Sequence, residues 1–113
     1  MEEETRTPLY NFHVAGVQHH KLSTCIKEIS KGDSLILTPE PTNRFDPNAV
    51  RITFYSIDKG EEVMLGYVPA AKGDLSSKVS ADLMVGSLSC SVLNLNPEAK
   101  TWEQLEVGIF QED

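Results

Sequence analysis

His13, His19, His20 and Cys25 fall within one thirteen-residue span, and side chains of these types ligate metals or activate nucleophiles. Zinc needs four such ligands converging tetrahedrally. Here His13 sits in a strand-like segment, the adjacent His19 and His20 point in different directions, and Cys25 lies on the apolar stripe of a helix-like segment. Polar or stacking histidines and a core cysteine are therefore the expectation. Cys25 with His19 or His20 is the nucleophile–base pair that exists on paper. No G-x-S-x-G, HExxH, P-loop or Rossmann fingerprint accompanies it. The chain reads as a binding domain without enzymatic chemistry, metal or other cofactor, and a small metal-dependent hydrolase using the histidines ranks last among its readings.

A second group of residues offers different chemistry. Single-stranded nucleic acid is held by flat rings plus a few cations, because every base has a stackable face. His19, His20, Phe45 and Tyr67 supply rings at strand ends or in a loop, with Lys21 and Arg44 beside them. Asp46 is the odd member: a carboxylate repels phosphate but accepts a hydrogen bond from a sugar hydroxyl. That combination suits a strand end with a free hydroxyl better than a continuous backbone. Each residue also has a plain structural role on offer. Asp46 can cap a helical turn, Phe45 can tuck under its loop, and Tyr67 can be a packed strand residue.

The elements that must position these residues are mostly strands. Period-2 alternation marks strands over 10–17, 34–38, 50–55 and 64–68, and again at Leu88–Val92 and Leu105–Ile109. Val50, Ile52 and Phe54 share one face of their strand, opposite Arg51, Thr53 and Tyr55. Leu22, Cys25, Ile26 and Ile29 follow helical spacing with Gly32 as the stop, and Ala71, Leu75, Val79 and Leu83 form a second stripe ended by Gly86. The fold expectation is a mainly β, six-stranded, closed or nearly closed barrel with two short flanking helices. Between the second and third strands, residues 39–49 carry three prolines and two asparagines. Asp46-Pro47 has the order of a helix cap followed by proline at the first helical position, and Asn43 and Asn48 can bond their own backbone. A stiff, ordered loop is the result, and stiff loops on a barrel carry binding sites.

Composition bounds the partner. The chain has 113 residues, 40% apolar and 24% charged, enough for one domain with a modest core and too ordered a composition for wholesale disorder. The net charge of −7 and a pI near 4.9 argue against tight, salt-driven duplex binding. The acid is uneven, however. Five of the seventeen acidic residues (Glu2, Glu3, Glu4, Glu112 and Asp113) lie at the two tips, which leaves twelve against ten bases. No apolar stretch approaches the roughly 18 residues of a membrane span. Residues 1–9 read as an acidic tail, 10–110 as the domain and 111–113 as a C-terminal tail. The two distant cysteines fit a reducing, cytoplasmic location.

Three blocks together resemble the HIRAN family, a module of SNF2-type repair helicases that also occurs as a standalone bacterial protein. They are 12–20, then 32–35 running into 40–50, and 65–69 (Leu-Gly-Tyr-Val-Pro). The resemblance implies an OB- or SH3-like barrel that binds nucleic acid, specifically the free 3′-hydroxyl end of single-stranded DNA. On that resemblance Phe45 and Asp46 hold the terminal base and hydroxyl, His19 stacks, Asn43 matches a loop asparagine and Tyr67 replaces a histidine. Gln18 stands where a DNA-binding member has arginine. Ala70 falls near a lysine position, which Lys72 can serve by reaching back. Each lost cation removes a charge-assisted hydrogen bond worth about 1.5–3 kcal/mol.

The expected function is thus single-stranded nucleic-acid binding, preferentially at a DNA 3′ end, in DNA repair or processing, with a helicase or nuclease as partner. The expected site is Gln18, His19, His20, Asn43, Arg44, Phe45, Asp46, Tyr67 and Lys72. The rival reading is a protein-interaction module in which the proline-rich loop presents Phe45 as an apolar anchor.

Overall fold

A computed structural model of the chain describes residues 7–17, 20–70 and 74–112. Six strands form one antiparallel sheet: β1 (Tyr10–His13), β2 (Ser34–Pro39), β3 (Val50–Ser56), β4 (Glu61–Tyr67), β5 (Ser87–Leu95) and β6 (Leu105–Glu112). Their spatial order is β1-β6-β5-β2-β3-β4, so β1 and β4 are the two edges. The sheet curls until those edges meet. Ala15, just past β1, exchanges both backbone hydrogen bonds with Tyr67 at the end of β4, each 2.9 Å long. This bridge ties the two edges together at one end of a curled half-barrel, while β1 and β4 themselves are not paired with each other.

The alternation read from the sequence becomes the barrel interior. Val50, Ile52 and Phe54 from β3, Val63 and Leu65 from β4, Cys90 and Val92 from β5, and Leu105, Val107 and Ile109 from β6 are all buried in one core. Thr53 departs from the expected pattern. It is buried despite sitting on the Arg51–Tyr55 face, and its hydroxyl donates to Glu62 at 3.0 Å. The β3–β4 pairing shifts register between Ile52 and Thr53, a bulge that bends the strands and re-aims the end of β4. Gly66 sits opposite this bulge. A Cβ there would overlap the Ala15 carbonyl oxygen and lie 2.6 Å from Val14 Cγ1, so the seam closes only over glycine.

The first helical stripe is shorter than its spacing predicts. One α turn, α1 (Leu22–Cys25), passes into a 3₁₀ turn (Ile26–Glu28), and Ile29 is already extended at φ −91°, ψ 133°. Lys21 at the N-cap provides no side-chain cap, and so short a segment does not repay helix nucleation. Tertiary contacts hold it instead. The Ser56 hydroxyl donates to Glu28 at 2.6 Å and the Asp58 amide donates to the same carboxylate at 3.4 Å. Gly32 has a positive φ of 94°, but it serves the turn into β2, with its amide on Val92 O at 2.8 Å, not a helix end. The second helix, α2 (Leu75–Val85), buries Leu75, Ser76 and Val79 and ends at Gly86 as its stripe predicts. Ala71, the first residue of that stripe, lies outside the described residues. Among the described residues, no helix is long and apolar enough to cross a membrane.

Candidate nucleic-acid interface

The β2–β3 loop is ordered by its own side chains. Asn43 Oδ1 accepts the amides of Phe45 at 2.8 Å and Asp46 at 3.0 Å, the self-bonding expected of an asparagine in a turn. Asp46 Oδ1 accepts the Asn48 amide at 2.9 Å, and Ala49 N–H closes on Asp46 O at 2.9 Å. These bonds make a tight turn. No helix follows Asp46-Pro47, because the chain must reverse at once into β3 at Val50. Asn48 spends its side chain on Ser77 of α2 at 3.1 Å, and the Ser76 hydroxyl donates to Asp46 Oδ2 at 3.0 Å. The loop is thereby fixed both to itself and to α2.

This scaffold bounds a concavity of about 320 Å³ lined by Ala15, Asn43, Phe45, Asp46, Ala49, Tyr67, Val68 and Ala70. Among the described residues Asp46 is the one charged member of that lining, and three alanines and a valine make much of the rest. Of the four lone-pair sites on its carboxylate, Asn48 and Ser76 occupy two. The other two remain for a donor. Phe45 is 96% exposed at the rim, so it does not tuck under the loop. Tyr67 is half-buried on the wall, with its hydroxyl donated to Glu40.

Glu40, at the base of the loop, holds the wall together. Its Oε1 accepts the Tyr67 hydroxyl at 2.9 Å and Asn43 Nδ2 at 3.0 Å, and its Oε2 accepts Arg51 Nη1 at 3.4 Å. Burial alone raises the Glu40 carboxyl, but the bonds from Asn43 and Tyr67 and the charge of Arg51 outweigh it and hold the group below its ordinary range. Tyr67 is displaced the other way: burial, the hydrogen bond to Glu40 and that neighbour's negative charge raise its phenol, with Arg51 opposing. Glu40, Arg51 and Ser76 were not among the residues the sequence singled out. Glu40 lies inside the proline-bracketed block, yet only the β2–β3 and β3–β4 pairings together bring it to the Tyr67 hydroxyl.

The predicted site residues divide accordingly. Asn43, Phe45, Asp46 and Tyr67 line one cavity. His20 packs edge-on against the Tyr67 ring, with centroids 5.8 Å apart at 65°, on the far side of that wall. Arg44 is exposed and outside the lining. Gln18, His19 and Lys72 lie outside the described residues. Among the described residues, no group of three or more His, Cys, Asp or Glu side chains is placed to hold a metal ion. Cys25 is in the core, where burial and the nearby Glu28 raise its thiol against the pull of Lys59. Burial pushes Cys90 up to about 12.

No curated protein matches the chain. Two solved structures share its fold. One is a protein from Lactobacillus plantarum, 18% identical with a TM-score of 0.68, covering 90% of each chain. The other is the HIRAN domain of human HLTF, 13% identical with a TM-score of 0.57, covering 88% of this chain and 71% of that one. The sequence itself matches the HIRAN domain over residues 9–92, which includes the loop, the cavity wall and the barrel seam, and the chain belongs to the HIRAN family.

Proposed function

We propose that this domain binds single-stranded DNA at a free 3′-hydroxyl end, in DNA repair or processing. HIRAN domains are DNA-binding modules, which supplies the ligand class. The observation that carries the finer reading is the convergence of Asp46, Phe45, Asn43 and Tyr67 on one cavity whose single charged group, among the described lining residues, is a carboxylate. At about 320 Å³ the cavity lies at the lower end of the range for ligand pockets, roughly 300–1,000 Å³. That is room for one terminal nucleotide, with the rest of the strand outside. Asp46 accepts the terminal hydroxyl on a spare lone pair, the exposed Phe45 ring stacks on the base, and the alanine floor admits the sugar edge. A terminal phosphate is excluded by charge. In this reading His19 stacks on a neighbouring base and Gln18, Arg44 and Lys72 contact the backbone.

Fluorescence anisotropy with single strands ending in a 3′ hydroxyl or a 3′ phosphate tests the proposal. The hydroxyl end is expected to bind at least tenfold more tightly, and equal affinities refute end recognition. The 96% exposure of Phe45 also fits an apolar anchor for a protein partner. Affinity for single strands that ignores salt supports that second reading, because phosphate contacts make binding salt-dependent.

A further inference from the structure

Tyr67 is a wall between two cavities. Beyond it a second concavity of about 330 Å³ is lined by His20, Arg51, Thr53, Glu62, Met64 and Tyr67. Arg51 and Tyr67 are direct partners in the β3–β4 ladder, so their side chains leave the sheet on the same face, with Cβ atoms about 4.5–5.5 Å apart. The second cavity therefore begins one side chain away from the first. Its described lining holds one cation, Arg51, and one carboxylate, Glu62, which is engaged by the Thr53 hydroxyl at 3.0 Å.

Arg51 is only partly used by the fold. Its side chain is 41% exposed, and its bond to Glu40 runs through Nη1 alone at 3.4 Å, long for a charge-assisted pair. Its Nε is buried and has no hydrogen-bond partner. A buried donor without a partner is uncommon in native proteins and marks a place where one is missing. An arginine kept only to neutralise Glu40 would present its two-pronged fork to that carboxylate.

Resting on the single-strand reading above, we propose that Arg51 binds an internucleotide phosphate of the strand whose 3′ end fills the first cavity. The strand leaves that cavity across the Tyr67 ring, and one of the first phosphates on its 5′ side enters the second cavity. There the guanidinium turns from Glu40 and presents Nε–H and Nη2–H as a bidentate fork, the geometry by which arginine holds phosphate. The Tyr67 ring, braced by the edge of His20, is the surface over which the strand passes. Arg51 thus supplies a cation for the backbone, where the described lining of the first cavity holds none.

Single strands with a 3′ hydroxyl, in which one phosphate at a time is replaced by an uncharged methylphosphonate, test this in anisotropy titrations. For the unsubstituted protein, one of the first two linkages from the 3′ end is expected to lose roughly 10- to 100-fold in affinity. Arg51→Gln should lose the same factor on the unmodified strand, become insensitive to that position, and lower the salt slope by about one phosphate. Arg51→Lys, which keeps the charge without the fork, should recover part of the affinity, and it carries the test if the glutamine variant does not fold. Equal sensitivity to every linkage in the unsubstituted protein and both variants overturns the proposal. So does inorganic phosphate competing as well as the strand itself, which would mark a site for free anions. The 3′-hydroxyl preference is read in the same titrations. Its persistence without any Arg51 dependence removes this inference alone, whereas its loss with the Arg51 dependence intact removes end recognition alone.

Discussion

Replacing Asp46 with asparagine separates what this side chain does for its loop from what it does at the cavity. Oδ1 accepts the Asn48 amide at 2.9 Å and Oδ2 accepts the Ser76 hydroxyl at 3.0 Å. Asparagine keeps Oδ1 for Asn48 and offers Nδ2–H to the Ser76 oxygen, which accepts as well as donates. The loop stays in place, and stability changes by no more than about 1 kcal/mol. At the cavity the change is chemical, because an acceptor with a full charge becomes a neutral amide whose nitrogen accepts nothing. A hydrogen bond to a charged group contributes about 1.5–3 kcal/mol against about 0.5–1.5 for a neutral one. The difference of about 1–1.5 kcal/mol is roughly 5- to 13-fold in Kd for the 3′-hydroxyl strand. A 3′-phosphate strand gains instead. Two unit charges 4–6 Å apart repel by about 3–4 kcal/mol at an effective dielectric of 20, and by less at a half-exposed group. The preference for hydroxyl over phosphate should therefore shrink at least tenfold in Asp46→Asn, measured by anisotropy with matched 5′-labelled strands. A folded Asp46→Asn protein that keeps the full preference refutes the assignment of the hydroxyl to this carboxylate.

Phe45→Ala should leave the melting temperature nearly unchanged, since the ring is 96% exposed, while single-strand affinity falls by about 1–3 kcal/mol for the lost stack. An unchanged Kd would remove Phe45 from the site. Gly66→Ala forces a methyl group against Ala15 and Val14 at the seam and should cost roughly 2–3 kcal/mol, on the order of 10 °C in Tm by calorimetry. Glu40 is held below its ordinary value of 4.5, so its contribution is complete above that pH and is lost as pH falls through the lower folded value. Tm measured from pH 3 to 7 should therefore drop less steeply on the acid side in Glu40→Gln than in the unsubstituted protein. Tyr67, raised above 10.0, contributes stability that disappears as pH rises beyond 10, and the absorbance titration of its phenol should move down in the same variant.

What the sequence made legible follows from how local each signal is. The barrel was readable because β3 and β6 bury Val50, Ile52 and Phe54, and Leu105, Val107 and Ile109, at alternate positions, with Thr53, Gly108 and Phe110 buried in addition, and six strand-like segments leave few alternatives to a curled sheet. Asn43, Phe45 and Asp46 were readable because they sit within four residues of one another in a loop whose turn chemistry is self-contained. Glu40 and Arg51 were not. Glu40 matters because it meets Tyr67, 27 positions away, and Arg51 because β3 and β4 pair Arg51 with Tyr67. Neither relation leaves a mark within a local window. The first helix was over-read for the opposite reason. Leu22, Cys25 and Ile29 are buried as a helical stripe predicts, but the Glu28 contacts to Ser56 and Asp58, not an intact helix, hold the segment there.

The reciprocal amide pair between Ala15 and Tyr67 fastens the curled sheet through a residue that also lines the cavity. On the proposed function, recognition and integrity of the barrel are thereby joined mechanically, like a clasp that doubles as a handle. A strand lying across Tyr67 rests on both sides of the fastening and resists its opening, so occupancy should slow deuterium uptake at these two amides more than at the β5–β6 centre.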